Sequence, residues 1–339
     1  IMAAALLMAG VLALLSASSA IRVLAKIVPT PIVRGVQLGL GLLLLKSAYQ
    51  MVFQKPFLLN GQQTYLDFGS LEVAAGVVVG LGSAVLLLLL LRIRSIPAAL
   101  VVVALGIGIG LAVENGAAWR LGPAPLTLQL PAAGDFWPAL VLLVVPQVPL
   151  TLANSVIATA DAAKAYFGDQ AKRATPTRLA WSIALGNLWA GLTGGLPSCH
   201  GCGGLTAHYR LGARTPLATG FLGVLLIIIA LLFGRSAMDV RSLLPSATLG
   251  ALLFYVGVQH LFLGLNVRSV SELAVTALVA AAAMAAGGNL AIGAGAGIVV
   301  FWGAKWVGSR LGKQMFTAPT GQPAIQRVVA ALERIVPSS

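Results

Sequence analysis

Apolar runs separated by short polar connections recur along the whole chain. A helix that crosses a bilayer needs about 20 consecutive, mainly apolar residues. The pattern predicts eleven membrane segments, at 1–20, 32–53, 71–91, 98–113, 136–160, 179–193, 203–211, 216–233, 242–264, 273–286 and 290–309. We therefore expect an all-α, multi-pass integral membrane protein, in the plasma (inner) membrane if its source is a prokaryote.

Composition and charge agree with that expectation. Of the 339 residues, 58% are hydrophobic and only 9% are charged, whereas soluble domains carry about 25% charged residues. The net charge of +13 does not indicate a nucleic-acid partner, because the basic residues are dispersed between apolar runs, as cytoplasmic loops of membrane proteins require. The partner implied is the lipid bilayer. Because an apolar run starts at Ile1 with no initiator methionine, we expect that an N-terminal part is missing.

One stretch, residues 194–204, interrupts the apolar pattern with glycine, proline, two cysteines and a histidine. Irregular backbone survives at membrane depth only when it is buried in protein or lines a wet cavity. A short helix starting after Pro197 would aim its free N–H groups and its positive dipole end into that cavity. Gly201, Gly203 and Gly204 would let a ligand approach the backbone. The stretch predicts an anion site at the start of a broken half-helix, near 197–211.

A second polar group lies in the preceding long segment. Gln147, Thr151 and Asn154 are spaced by four and three residues, which places them on one helical face. Neutral amides, hydroxyls and backbone N–H groups can hold a dianion at a lower desolvation cost than a buried arginine. The predicted substrate-binding residues are Gln147, Thr151, Asn154, Ser155, Cys199, His200, Gly201, Gly203 and Gly204.

Other roles stay open for several of these residues. His200 can instead hydrogen-bond a carbonyl freed by the broken helix, and Asn154 and Ser155 can instead link neighbouring helices. Asp161 is expected to be a solvated charge in a loop at 161–178. We predict no catalytic residue, no metal ligand and no cofactor.

Two stretches resemble signatures of a known transporter family. They are residues 146–159, Pro-Gln-Val-Pro-Leu-Thr-Leu-Ala-Asn-Ser-Val-Ile-Ala-Thr, and residues 195–215, which begin Gly-Leu-Pro-Ser-Cys-His-Gly-Cys-Gly-Gly. Both are similar to the molybdate transporters of plants and microbes, which we place in the SulP sulfate-permease superfamily. The span that opens at Pro29 is similar too. The resemblance implies a secondary transporter of a tetrahedral oxyanion, molybdate before sulfate, and not an enzyme.

The resemblance also implies a fold and a movement. The family fold is a uracil-permease-like inverted repeat of seven plus seven segments, of which this chain would hold segments 4–14. Transport would be an elevator-like movement of a core against a gate, with proton coupling and a homodimer left open. The expected parts are core 1–20, gate 29–115, core 136–234, gate 240–310 and a cytoplasmic tail 311–339 with a surface helix at 324–336.

An alternative of a different class rests on Cys199, His200 and Cys202. Two thiolates and an imidazole at this spacing can bind zinc or copper(I), and a Cys-x-x-Cys at a helix N-terminus can be redox active. The family usually has alanine at the position of Cys202, so the cysteine pair departs from its pattern. A membrane thiol-redox or metal-binding protein is the competing hypothesis.

Overall fold

The computed structural model describes residues 1–18, 20–59, 62–67, 72–93, 96–113, 120–125, 130–236 and 243–311, and the single positions 316, 326, 329 and 331. Each of the eleven predicted segments contains a helix, although the segment predicted at 71–91 becomes helical only at Ala75 and the one at 242–264 only at Ser246. Within these ranges the α-helices are α1 (Met2–Ala17), α2 (Ala20–Ile27), α3 (Thr30–Tyr49), α4 (Ala75–Leu90), α5 (Ala98–Val113), α6 (Ala133–Ala139), α7 (Val145–Leu150), α8 (Thr159–Phe167), α9 (Pro176–Thr193), α10 (Cys202–Arg210), α11 (Pro216–Phe233), α12 (Ser246–Gly264), α13 (Val270–Ala285) and α14 (Leu290–Arg310).

Length and composition confirm a multi-pass integral membrane protein. Five described helical runs are long and apolar enough to cross a bilayer: Thr30–Gln54, Ala133–Arg173, Pro216–Ser236, Ser246–Gly264 and Leu290–Arg310. The helices α1, α4, α5 and α13 are apolar but shorter. The seven-plus-seven inverted repeat stays a prediction.

The structure is mostly helical, as expected for an all-α membrane protein, and the strands of its described part lie in one connection. Two small antiparallel pairs lie between α3 and α4: β1 (Leu58–Leu59) with β2 (Gln62–Gln63), and β3 (Tyr65–Asp67) with β4 (Glu72–Ala74). Their registers join Leu58 to Gln63 and Leu66 to Val73. Such short local hairpins leave no long alternating pattern, so a search for apolar periodicity does not detect them.

The run Ala133–Arg173 is one continuous helix of mixed geometry. Between its α-helical parts lie two π-helical stretches, Leu140–Val144 and Thr151–Ala158, and it ends in a 3-10 turn, Gly168–Arg173. Prolines within it lack the N–H that an α-helical ladder needs, and wider turns often occur at functional sites. The prediction of a loop at 161–178 is wrong, because α8 and the 3-10 turn extend to Arg173 and α9 begins at Pro176. In α8 the alanine-rich sequence favours helix despite its charges.

The chain divides into two compact units. Unit 1 comprises Ile1–Leu42, Leu126–Thr206 and His260–Leu332, and unit 2 comprises Leu43–Pro125, Ala207–Gln259 and Glu333–Ser339. This division follows contacts and differs from the core and gate parts, which stay predictions. The tail 311–339 and its helix at 324–336 lie almost wholly outside the described residues.

The core of unit 1 that supports the candidate site is formed by α1 packed on α9. Small residues let these two helices approach closely. A Cβ added to Gly191 of α9 would meet the side chain of Leu6 at 2.6 Å. The buried residues of this core include Ala4, Met8, Leu12, Ala180, Ile183 and Ala184. This packing holds α9, from whose C-terminus the glycine-rich loop begins.

Candidate functional site

The loop 194–201 begins where glycine ends α9. Gly194 has φ of 75°, a left-handed conformation that glycine adopts without strain. The next residue, Gly195, donates its backbone N–H to the C=O of Ala190 at 2.7 Å. This turn closes the C-terminus of the helix and sends the chain back along α9 toward Pro197.

The middle of the loop is held by a residue that the sequence analysis did not select. Asn187, on α9 and fully buried, accepts the backbone N–H of Ser198 at 3.1 Å through its Oδ1. Its Nδ2 donates to the C=O of the same residue at 2.7 Å and to the C=O of Ile183 at 2.9 Å. A Cβ on Gly186 would lie 3.9 Å from the Ser198 hydroxyl, so the loop lies directly on α9.

The loop ends at the N-terminus of α10. The N–H of Leu205 donates to the C=O of Gly201 at 3.3 Å, so the N–H groups of Cys202, Gly203 and Gly204 precede the first helical bond and lack an acceptor within the helix. A Cβ added to Gly204 would find no atom within 4 Å. This terminus therefore offers backbone donors that no carbonyl of the helix accepts, as an anion site requires.

The π-helical stretch Thr151–Ala158 faces this same end of the loop. A Cβ on Gly201 would lie 3.1 Å from Asn154 Nδ2 and 4.0 Å from Ser155 Oγ. The hydroxyl of Thr159 donates to the C=O of Asn154 at 3.0 Å, a carbonyl five residues earlier that the wider turn frees. The structure therefore brings Asn154 and Ser155 against the glycine loop.

A cavity of about 430 Å³ lies in unit 1, between α1, α7, α9 and the loop. Its apolar wall includes Met8, Val144 and Ile183, and none of the residues that line it has a charged side chain. Gln147 Nε2 and Thr151 Oγ1 are 3.4 Å apart on this wall. The polar lining residues are Gln147, Thr151, Asn187, Ser198 and Cys199. The cavity can therefore hold a polar ligand through neutral groups.

The predicted residues thus fall into two neighbouring groups. Gln147, Thr151 and Cys199 line the cavity, whereas Asn154, Ser155, Gly201, Gly203 and Gly204 gather at the start of α10. His200 is exposed between them. Their binding of a substrate stays a prediction.

The two cysteines have different surroundings. Cys199 is exposed and Cys202 is buried, and both are free thiols. The Cys202 thiol lies beside the side chains of Thr206 and Gln37. Among the residues that the structure describes, no group of three His, Cys, Asp or Glu side chains is placed to hold a metal ion. The described part of the chain therefore gives the metal-binding alternative no ligand set.

Close to Cys202 lies a charged cluster that the sequence analysis missed. Arg34 Nη1 is 2.8 Å from Asp161 Oδ2 and 2.9 Å from Gln37 Oε1, and Gln37 Nε2 donates to the same carboxylate at 3.0 Å. The expectation that Asp161 is a solvated loop charge is wrong, because α8 carries it into this partly buried ion pair. Its partners are more than 120 residues away, and only the polar residues within the apolar α3 could have indicated the cluster.

One further buried residue approaches α10. His260 on α12 is fully buried, and its Nε2 lies 3.9 Å from the position of a Cβ on Gly203. This histidine is not among the site residues predicted from the sequence. Its position in an apolar span is the signal that could have selected it, since ionisable residues are rare there and commonly functional.

The region that contains the candidate site is similar in sequence to known proteins. Residues 139–260 match a protein family described as "Molybdate transporter of MFS superfamily". This match covers Gln147, the glycine loop, α10 and His260. The chain is similar to molybdate transporters. Because the matching description names the MFS superfamily, the placement in SulP is not supported.

Three curated relatives carry the same kind of name. Molybdate transporter 2 of Arabidopsis thaliana is 36% identical over 157 residues, which are 46% of this chain and 33% of the relative. Molybdate transporter 1 of Chlamydomonas reinhardtii is 41% identical over 150 residues, or 42% and 29% of the two chains. Molybdate transporter 1 of Arabidopsis thaliana is 30% identical over 161 residues, or 47% and 34%. The matched part of the chain spans about a third of the length of each relative.

Proposed function

We propose that the protein is a secondary active transporter, and not an enzyme, that carries a tetrahedral oxyanion across the membrane, with molybdate as its substrate. The observation that carries the proposal is the cavity lined by neutral polar groups beside the glycine loop, within the region similar to molybdate transporters. The relatives' names favour molybdate over sulfate.

The physical case rests on charge dispersal. A dianion held by one buried arginine would require two charges to lose most of their water, at a high cost. Hydroxyl, amide and backbone N–H donors instead share the charge, as they do in natural anion-binding concavities. The hydroxyls of Thr151 and Ser198 and the amide of Gln147 are such donors on the cavity wall. The N–H groups at the start of α10 would add to them.

The cavity is also of a suitable size. Its volume of about 430 Å³ is within the range of about 300–1,000 Å³ for small-ligand sites. At about 30 Å³ per water molecule, a tetrahedral ion fits with part of its hydration shell. An ion that keeps some water loses less solvation energy on entering the protein.

The transport cycle is part of the proposal. Movement of a core body against a gate, in an elevator-like manner, would carry the loaded site between the two faces of the membrane.

Calorimetric titration of the purified protein in detergent tests the function. Molybdate, tungstate, sulfate and phosphate are titrated in turn into the unsubstituted protein and into Thr151→Val. A hydrogen bond to a charged ligand is worth about 1.5–3 kcal/mol, so Thr151→Val should weaken molybdate binding roughly 10- to 100-fold. Thr219→Val, which removes an exposed hydroxyl bonded to the C=O of Pro216, is the matched control and should bind normally.

The other outcomes assign different functions. Sulfate binding as tight as molybdate binding would indicate that sulfate is the substrate. If none of the four oxyanions binds and zinc binds instead, in a way that Cys199→Ser abolishes, the transporter proposal is refuted and the metal-binding alternative is favoured.

A further inference from the structure

Asn187 has the structural features of a residue that positions the candidate site. It is a polar residue within an apolar helix, it is fully buried, and it lies on the wall of the cavity. Burying an amide without partners would cost several kcal/mol. Its three hydrogen bonds go to backbone groups, two of them to a single residue of the loop, Ser198.

The hydrogen bonds fix which way the amide points. Oδ1 accepts the backbone N–H of Ser198, which is the one donor among the three partners, and Nδ2 donates to the carbonyls of Ser198 and Ile183. Because an amide nitrogen has two hydrogens, both are used by the protein and neither is left for a ligand. Asn187 therefore acts on a bound anion through the loop and not by touching it.

Ser198, which Asn187 holds in this way, lies between the two groups of predicted residues, those on the cavity wall and those at the start of α10. Ser198 and Cys199 line the cavity, and α10 begins three residues later, at Cys202. Because the N–H and the C=O of Ser198 both bond to the Asn187 amide, neither of the two peptides that flank Ser198 can rotate without breaking a hydrogen bond. The direction of the loop from α9 to α10 is set at this point.

We propose that Asn187 is a positioning residue that holds the Ser198 peptide and thereby sets the affinity of the site for its oxyanion. The proposal rests on the proposed function, since it concerns the same site. Loss of the amide leaves the loop free to move, so the donors on the cavity wall and at the start of α10 no longer converge on one ion.

The rate at which the Cys199 thiol is modified can report whether the site is occupied. Cys199 is exposed and lines the cavity, whereas Cys202 is buried. Modification by the anionic reagent 2-sulfonatoethyl methanethiosulfonate should therefore occur at Cys199, and Cys199→Ser gives the background rate. The molybdate concentration that halves this rate measures occupancy of the site without any transport assay.

Three variants are compared with the unsubstituted protein in liposomes. Asn187→Leu keeps the branched shape of the side chain but loses all three hydrogen bonds, and should raise the protecting molybdate concentration at least about tenfold. Asn187→Asp keeps the acceptor for the Ser198 N–H, loses the donors and adds a negative charge to the wall, and should raise it further. Thr193→Val, which removes an exposed hydroxyl bonded to the C=O of Trp189 on the same helix, should leave protection unchanged.

The outcomes separate the two proposals. If molybdate does not protect Cys199 in the unsubstituted protein, the proposed function is overturned, and this inference with it. If molybdate protects normally in both the unsubstituted protein and a folded Asn187→Leu variant, the proposed function stands and this inference is overturned. Folding of each variant is checked by its elution as a single species in detergent. If Asn187→Leu does not fold, Asn187→Asp decides by the same criterion.

Discussion

Replacing Asp161 by asparagine should destabilise unit 1, because the carboxylate pairs with Arg34 where neither side chain is well solvated. The two ions are 2.8 Å apart, and their side chains are 10% and 28% exposed. Gln37, itself fully buried, hydrogen-bonds both of them. Asparagine has nearly the same shape as aspartate, so the substitution removes the charge and leaves the packing almost intact.

The magnitude follows from the degree of burial. Removing one partner of a buried ion pair costs about 3–5 kcal/mol, because the other charge is left uncompensated, whereas a surface pair is worth about 0–1 kcal/mol. The carboxylate of Asp161 retains about a quarter of its exposure, so water weakens the pair. We therefore expect Asp161→Asn to cost about 2–3 kcal/mol. For a unit of this size the melting temperature should fall by about 4–10 °C.

The assay is thermal unfolding of the purified protein in one detergent, followed by intrinsic fluorescence. A second variant, Arg34→Met, should lose a similar amount, and the double variant Arg34→Met/Asp161→Leu should regain much of it, since no unpaired charge is left. The control is Asp169→Asn, whose pair with Lys172 is 3.9 Å long and exposed and which should not change the melting temperature. Equal, small shifts for Asp161→Asn and Asp169→Asn would refute the reasoning.

Two further substitutions probe packing. A methyl group on Gly201 would press on Asn154 Nδ2 at 3.1 Å, whereas one on Gly204 would enter open space. Gly201→Ala should therefore lower the free energy of unfolding by about 1 kcal/mol, and Gly204→Ala should leave it unchanged. Equal melting temperatures for the two variants would contradict this. The buried hydroxyl of Thr276 donates to the C=O of Pro31 at 3.0 Å, so Thr276→Val should lower stability by about 1–2 kcal/mol, and an unchanged unfolding midpoint would show that the bond contributes little.

The helical segments could be predicted from the sequence because each is a local pattern. The eighth predicted span, 216–233, matches α11 residue for residue. Where helices departed from prediction, the cause was also local: α8 extends past residue 160 because alanines favour helix more than its charges oppose it. The strands β1–β4 were missed because they are too short to show a period of two.

The candidate site could be predicted only in part. Of the three residues predicted to share one helical face, Gln147 and Thr151 line a common wall, whereas Asn154 lies against Gly201. The role of Asn187 could not be predicted, since it depends on which way one side chain points after the chain reverses at Gly194. The pair of Arg34 and Asp161 joins residues more than 120 positions apart, a separation over which sequence patterns carry no information on contact.

The helix α11 has a consequence for the choice of membrane. None of its 18 residues is buried against the described part of the chain, so most of its surface is available to lipid. With the turn that follows it, the helical run Pro216–Ser236 has 21 residues and rises about 32 Å at 1.5 Å per residue, close to the hydrocarbon core of a typical bilayer, about 30 Å. A thinner bilayer would make this helix tilt, and a thicker one would have to thin around it. The thickness of the bilayer therefore acts directly on this helix, and vesicles with a hydrocarbon core of about 30 Å should hold the protein with less strain than those of much shorter or longer lipids.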